Sequence, residues 1–222
     1  MEKMLISDIR YVYRYPEGFT PEKKYPVILL LHGAGSRGED PQMLLSNPYF
    51  SVTEQLKDFP FITVSPHCSA NTWFDMWERL EDFVRKLVRV PFVDASRVYL
   101  MGASMGGYAT WQLAMSMPEY FAAIVPICGG GMYWNAGRLI NTPVWAFHGE
   151  QDKTVFVCES IHMVEAVNKK GGNAKLTIYP DVGHASWMPT YANPDVFAWL
   201  LEHENRNEKD YIDQYNSASV YG

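Results

Sequence analysis

The sequence predicts an α/β protein built on a mostly parallel, doubly wound sheet with helices on both faces. Three observations carry this. Short apolar runs recur without polar interruption: PVILLL (Pro26–Leu31), FITVS (Phe61–Ser65), VYLM (Val98–Met101), FAAIVPIC (Phe121–Cys128) and PVWAF (Pro143–Phe147). Unbroken runs suit strands covered on both faces, as in parallel sheets. Between them lie stretches whose apolar residues are three and four apart, the spacing of one helix face. The runs end in glycine-, proline- or histidine-bearing loops, at the edge where open α/β sheets bind ligands.

The elements follow in order. Asp8 to Tyr15 (DIRYVYRY) is rich in β-formers and reads as an edge strand, closed by the Pro16-Glu17-Gly18 turn. The Pro26 run ends at His32-Gly33-Ala34-Gly35 and a polar loop from Ser36 to Pro41. Met43 to Asp58 is predicted helical, interrupted near Asn47-Pro48. The Phe61 run ends at Pro66, and a loop leads to a helix over Trp73 to Val90 with Trp77, Leu80, Phe83, Val84 and Leu87 on one side. The Val98 run breaks at Gly102-Ala103-Ser104-Met105-Gly106-Gly107, and a helix follows to Met117. The Phe121 run stops at Gly129-Gly130-Gly131, and Met132 to Asn141 is a short connection. The Pro143 run leads into His148-Gly149-Glu150-Gln151-Asp152, then a helix over Val155 to Lys170. Ala174 to Tyr179 is a last strand, ending at Asp181-Val182-Gly183-His184, and Asn193 to Leu201 a last helix. No repeat or interdomain linker interrupts the pattern, so residues 1–222 are expected to form one domain, with a polar tail over 203–222.

Composition narrows the function classes. Hydrophobic residues make up 47% of the 222, enough for a sizeable core. A net charge of −6 argues against a general nucleic-acid binder. No apolar run approaches the roughly 18 residues that span a membrane, and MEKMLISDIRY has no secretory-type apolar stretch. Three cysteines, Cys68, Cys128 and Cys158, with no C-x-x-C pair, fit buried thiols in a reducing, cytoplasmic setting better than a disulfide framework. A Cys68–Cys128 bridge is the one pairing the strand ends suggest. Neither composition nor motif assigns an oligomeric state.

The chemistry centres on Gly102-Ala103-Ser104-Met105-Gly106, a serine on a tight strand-to-helix turn with glycines two residues before and after. Such a turn holds a hydroxyl exposed, and the first turn of the following helix offers unpaired N–H groups where an oxyanion can form. Asp152 and His184 each fall just past a later strand. Serine, acid and histidine in that order, each past a strand, predict a triad. Ser104 would attack an acyl carbon, His184 would take and return its proton, and Asp152 would hold the imidazole tautomer. Glu150 and Asp181 are rival acids; His32, His67, His148, His162 and His203 are rival bases, of which His32 and His148 suit loop shaping and His67 the pocket wall. Met105 is expected to supply one oxyanion-hole N–H and Ala34, with Gly35 as rival, the second.

On these residues the chain resembles the compact serine esterases of the α/β-hydrolase superfamily, within the carboxylesterase, feruloyl-esterase-like and prolyl-oligopeptidase-related group. The resemblance rests on LLLHGAGSRGED (Leu29–Asp40), SPHC (Ser65–Cys68), RVYLMGASMGGYATWQLA (Arg97–Ala114), VPICGGG (Val125–Gly131), PVWAFHGEQD (Pro143–Asp152) and YPDVGHASW (Tyr179–Trp187), spanning residues 10–201. It implies the α/β-hydrolase fold and ester hydrolysis through an acyl-enzyme, with Ser104, Asp152 and His184 in the triad roles. One departure is Ser36, where relatives often carry glutamate.

Trp187 and Trp73 are expected to touch substrate. The short connections predict little or no lid, and so short or medium acyl or aryl esters, free or carried on a carbohydrate. No metal or organic cofactor is expected. A peptidase or amidase of the same fold and a non-catalytic binding protein are the competing readings.

Overall fold

In the computed structural model, which describes residues 8–205 apart from Glu39, the sheet has seven strands. They are β1 (Tyr11–Arg14), β2 (Tyr25–Leu31), β3 (Ile62–Pro66), β4 (Val93–Ala103), β5 (Ala123–Ile127), β6 (Val144–Gly149) and β7 (Ala174–Tyr179). Their spatial order is β1-β3-β2-β4-β5-β6-β7. Only β1 runs antiparallel, against β3; the other pairings are parallel. The helices are α1 (Pro48–Thr53), α2 (Trp77–Leu87), α3 (Met105–Ser116), α4 (Cys158–Lys169), α5 (Trp187–Tyr191) and α6 (Pro194–Leu201).

The unbroken apolar runs have a direct cause. In β2, Val27, Leu29 and Leu31 face a layer holding Leu80, Phe83 and Val84 of α2, Trp111 and Leu113 of α3, and Met163 and Val167 of α4. Ile28 and Leu30 face the other layer, with Tyr49 of α1, Tyr191 of α5 and Phe197 and Leu200 of α6. Side chains alternate across a strand, so a strand with helices on both faces needs apolar residues at every position. Val27 to Leu31 are all 0% exposed, each contributing about 1.5–3 kcal/mol by burial. The outer face of α2 is charged instead, with Arg85–Glu81 and Lys86–Asp82 pairs one turn apart.

Because β2 is flanked by β3 on one side and β4 on the other, the chain reverses its winding between β2 and β4. That is the topological switch point, where the loops from two adjacent carboxyl ends part and leave a crevice. The loop after β2 holds Gly33 and Ala34; the loop after β4 holds Ser104.

Several boundaries differ from the sequence expectation. Met43 to Asp58 is two pieces, a 3-10 helix over Pro41–Ser46 and α1, which ends at Thr53. Asp40 and Asn47 each accept a backbone N–H, from Gln42 and Tyr49, so each starts its own helix. The strand predicted from Val98 begins at Val93, its pairing with β2 shifted in register between Tyr25 and Val27. The helix expected from Val155 begins at Cys158, because Thr154 and Val155 are held by Asp152. α5 was not anticipated: its five residues include Pro189 and are too few for a periodic signal. Past the end of α6, the backbone at His203 and Asn205 lies against β4, where the Tyr99 hydroxyl donates to the His203 carbonyl and the Asn205 N–H to that of Ser96. The tail beyond residue 205, expected to be polar, lies outside the described residues.

Candidate active site

The turn at Ser104 is a strained point of the backbone, one of three non-glycine positions with positive φ among the described residues, with Asp58 and Cys128. Ser104 has φ 57°, ψ −118°, in the left-handed half of φ where non-glycine residues are disfavoured. Such a conformation costs about 1–3 kcal/mol and persists only where its surroundings enforce it. They do. The Ser104 N–H donates to the Ile127 carbonyl of β5 at 2.9 Å, and its own carbonyl accepts the Tyr108 N–H at 3.0 Å. The helix packs so closely that a Cβ on Gly102 would sit 2.3 Å from the Gly106 carbonyl oxygen, and one on Gly106 would sit 2.0 Å from that of Leu31. Glycine at both positions is a condition of the turn.

The three residues singled out in the sequence meet here. Ser104 Oγ donates to His184 Nε2 at 2.9 Å, and His184 Nδ1–H donates to Asp152 Oδ2 at 2.7 Å. The Asp152 side chain is fully buried, whereas 24% of the His184 side chain stays open to solvent. Asp152 Oδ1 accepts the backbone N–H groups of Thr154 (2.8 Å) and Val155 (3.0 Å). Burial alone would raise the Asp152 pKa; the hydrogen bonds from His184, Val155 and Thr154 outweigh it and hold the carboxyl below its ordinary range. The site therefore keeps an anion beside the imidazole.

The candidate oxyanion donors flank the serine. Met105 opens α3 immediately after Ser104, so its N–H belongs to the unpaired first turn. Across the crevice, a Cβ built on Gly33 would lie 3.5 Å from Ser104 Cβ, which puts the β2 loop against the nucleophile turn. This loop forms a 3-10 turn over Ala34–Ser36 whose first N–H groups, those of Ala34 and Gly35, are the two candidates for the second donor. Arg37 clips the turn, reaching the Ala34 carbonyl at 2.8 Å and that of Asn71 at 2.7 Å. His32 anchors its base: Nδ1–H donates to the Gly33 carbonyl at 2.8 Å, and Nε2 accepts the Cys68 N–H at 2.9 Å.

The rivals fall away from the serine. Glu150 and Asp181 are exposed, and His162 is exposed on α4 beside Tyr133. His203 packs on Trp199. His67, expected at the pocket wall, is instead buried and stacks on His32 at 5.8 Å. Trp187 does border the site, its ring edge-on to His184 at 5.4 Å. Trp73, expected to touch substrate, does not line the crevice: it is 0% exposed, and its indole N–H donates to the His32 carbonyl at 3.1 Å. Its role is to support the β2 loop from within the core. The cysteines are all free; Cys68 and Cys128 are buried, as expected, but Cys158 is exposed at the start of α4.

Two features escaped the sequence reading. The Cys128 thiol, one Asp152 oxygen and one His184 ring nitrogen lie within 4.8 Å of one another. Burial pushes that thiol up to about 12, so it is a neutral packing group beside the triad. The signal was its place at the end of VPICGGG, one more strand terminus on the same edge. The second feature is His148, whose ring also reaches Asp152, with Nε2 at 3.3 Å from Oδ2.

Comparison with known proteins places the chain in a family. The family model described as the Dienelactone hydrolase family matches residues 64–214. The chain belongs to the dienelactone hydrolase family. Among curated relatives, it is 23% identical over 242 aligned residues to dipeptidyl-peptidase 5 of Porphyromonas gingivalis, covering 83% of this chain and 34% of that protein. It is 24% identical over 141 residues to the bifunctional acetylxylan esterase/xylanase XynS20E of Neocallimastix patriciarum, covering 62% of this chain and 20% of that protein. The chain thus spans about a third or less of the length of these curated relatives. Among solved structures, a thermostable esterase superposes with a TM-score of 0.74 at 32% identity, over 87% of this chain and 59% of that one. Est1E from Butyrivibrio proteoclasticus superposes with a TM-score of 0.66 at 18% identity, over 86% of this chain and 93% of that one, which shows the shared fold.

Proposed function

We propose that this member of the family is a serine ester hydrolase working through an acyl-enzyme. The observation that carries the reading is the continuous relay from Ser104 Oγ through His184 to the buried Asp152 carboxylate. Ser104 is the nucleophile, His184 the general base and then acid, and Asp152 the group that fixes the His184 tautomer and stabilises its cation. The N–H of Met105 and that of Ala34, with Gly35 the alternative, receive the oxyanion of the tetrahedral intermediate. Trp187 lines the substrate crevice beside His184. No metal or organic cofactor takes part.

The substrates are short or medium acyl or aryl esters, free or carried on a carbohydrate. Two likenesses support this choice: the relative named as an acetylxylan esterase, and the structure of Est1E with ferulic acid bound. The chain acts as one domain, without nucleic-acid or membrane partners; no helix among the described residues is long and apolar enough to cross a membrane. Three free cysteines support a cytoplasmic, reducing setting. The named dipeptidyl-peptidase relatives favour a second reading, hydrolysis of peptide bonds by the same three residues.

The test is hydrolysis of a chain-length series of p-nitrophenyl esters by wild type and Ser104→Ala side by side, with dipeptide arylamides as a parallel series. Ester turnover in the wild type, lower by roughly 10⁶-fold in the variant, with loss of fluorophosphonate labelling, is the expected result. Turnover of the arylamides alone would favour the peptidase; an unlabelled wild type would leave a binding protein.

A further inference from the structure

His148 is 0% exposed, and the partners of its two ring nitrogens between them call for two donated protons. Its Nδ1 lies 2.7 Å from Ser160 Oγ, and Ser160 Oγ in turn lies 3.0 Å from the Gly129 carbonyl oxygen. Its Nε2 lies 2.9 Å from the Val155 carbonyl oxygen and 3.3 Å from Asp152 Oδ2. The proton count is restrictive. A carbonyl oxygen can only accept, so the single Ser160 hydroxyl proton must point at Gly129. Ser160 Oγ must then accept from Nδ1–H. Val155 and Asp152 offer only acceptors to Nε2, so that nitrogen must carry a proton as well. The network is satisfied throughout only with both ring nitrogens protonated. A neutral ring would leave two buried acceptors facing each other without a proton, at a cost that buried polar groups rarely bear.

We propose that His148 is a buried imidazolium and a positioning residue, the second histidine of a Ser104–His184–Asp152–His148 relay. The inference rests on the ester-hydrolase reading of the site. Asp152 then has a cation beside it: Oδ1 accepts two backbone N–H groups, Oδ2 accepts the His184 N–H, and the His148 ring, whose Nε2–H donates to the Val155 carbonyl, stands 3.3 Å from Oδ2 as an ion-pair partner. The consequence is electrostatic. Its charge offsets part of the Asp152 charge felt by His184, so that His184 stays unprotonated, and able to act as base, to lower pH. The other titratable groups around this carboxylate are Cys128 at the end of β5, Tyr108 of α3 and His184 itself; Cys158 and Glu159 of α4 act on Tyr108. Of these, Cys128 and Tyr108 are held neutral by burial, which pushes both upward, so they contribute no charge.

Two measurements test this on the intact chain. Imidazole nitrogen NMR of the resting wild-type protein between pH 5.5 and 8, with His148→Gln as the assignment control, reads the charge without any turnover. Two protonated-type nitrogens for His148 at neutral pH are expected; one lone-pair-type nitrogen would overturn the proposal. The kcat/KM pH profile of His148→Gln reads the consequence. The variant keeps an amide N–H near Asp152 but loses the charge. Its acid limb is expected on the order of one pH unit higher, with kcat about tenfold lower and KM little changed. A folded variant with an unmoved acid limb would also overturn the proposal. Fluorophosphonate labelling of wild type separates the two levels: an unreactive Ser104 would defeat the hydrolase reading, while the spectrum still decides the charge on His148.

Discussion

At the residue scale, Asp152 does most to define the candidate site. Its buried carboxylate is held anionic against the effect of burial by hydrogen bonds from His184, Val155 and Thr154. Replacing it by Asn keeps an oxygen for the two backbone N–H groups but turns an NH₂ toward His184. The imidazole must then accept at Nδ1 and carry its proton on Nε2, where it cannot take the Ser104 proton. We expect Asp152→Asn to retain the fold, seen by circular dichroism, while kcat falls roughly 10⁴-fold. Near-full activity would move the acid role to Glu150 or Asp181. The serine, the acid and the histidine were legible in the sequence because each stands just past a predicted strand. Trp73 was misjudged, since proximity in sequence to a crevice loop does not reveal whether an indole points outward or into the core.

At the element scale, the turn between β4 and α3 depends on backbone contact rather than on side-chain chemistry. A methyl group at Gly106 would have to occupy space 2.0 Å from the Leu31 carbonyl oxygen. The packed strand cannot move away without breaking its parallel pairing with β4. Gly106→Ala is therefore expected to destabilise the protein by about 1–3 kcal/mol or more and to lower turnover even where it folds. Gly35→Ala is the control: nothing lies within 4 Å of that Cβ, so unfolding midpoints in urea should barely change. Equal loss in both variants would contradict the packing account. Strands and long helices were readable from apolar runs and three-four spacing. The short elements were not. Pro41–Ser46, α1 and α5 have five or six residues each, and their caps rather than their periodicity set their ends.

At the scale of the whole molecule, acid should weaken the fold before it reaches the ordinary carboxylate range. Burial holds His32 down to about 4 in the folded state, against ~6.5 in an unfolded chain. Between these values the unfolded chain binds a proton that the folded one refuses. Stability therefore falls as pH drops below ~6.5 and levels off near 4, a loss of about 3 kcal/mol. His67 is lowered too, by burial and then by Arg10, and adds a loss of the same sign. The Asp152 contribution is present above the ordinary carboxylate pKa of ~3.9 and is lost only as pH falls through its lower folded value. Urea unfolding at pH 6, 5.2 and 4.5, below the range where a folded His148 imidazolium changes stability with the opposite sign, checks this, with a shallower pH slope expected for His32→Gln. A wild-type midpoint independent of pH over that range would refute it. Protonating His32 would also break its acceptance of the Cys68 N–H, so the loop carrying the Ala34 and Gly35 N–H groups should loosen first.

The sequence by itself determined the doubly wound sheet, because burial on both faces requires apolar residues at every strand position and helix faces require a different period. It also determined which residues gather at one edge, since parallel strands place all their carboxyl ends on the same side. Only the tertiary structure decided which side chains turn inward there and how their protons are shared. Hydrogen bonding depends on a few tenths of an ångström and on direction, and residues as far apart as Gly129, His148 and Ser160 acquire both only when β5, β6 and α4 pack together.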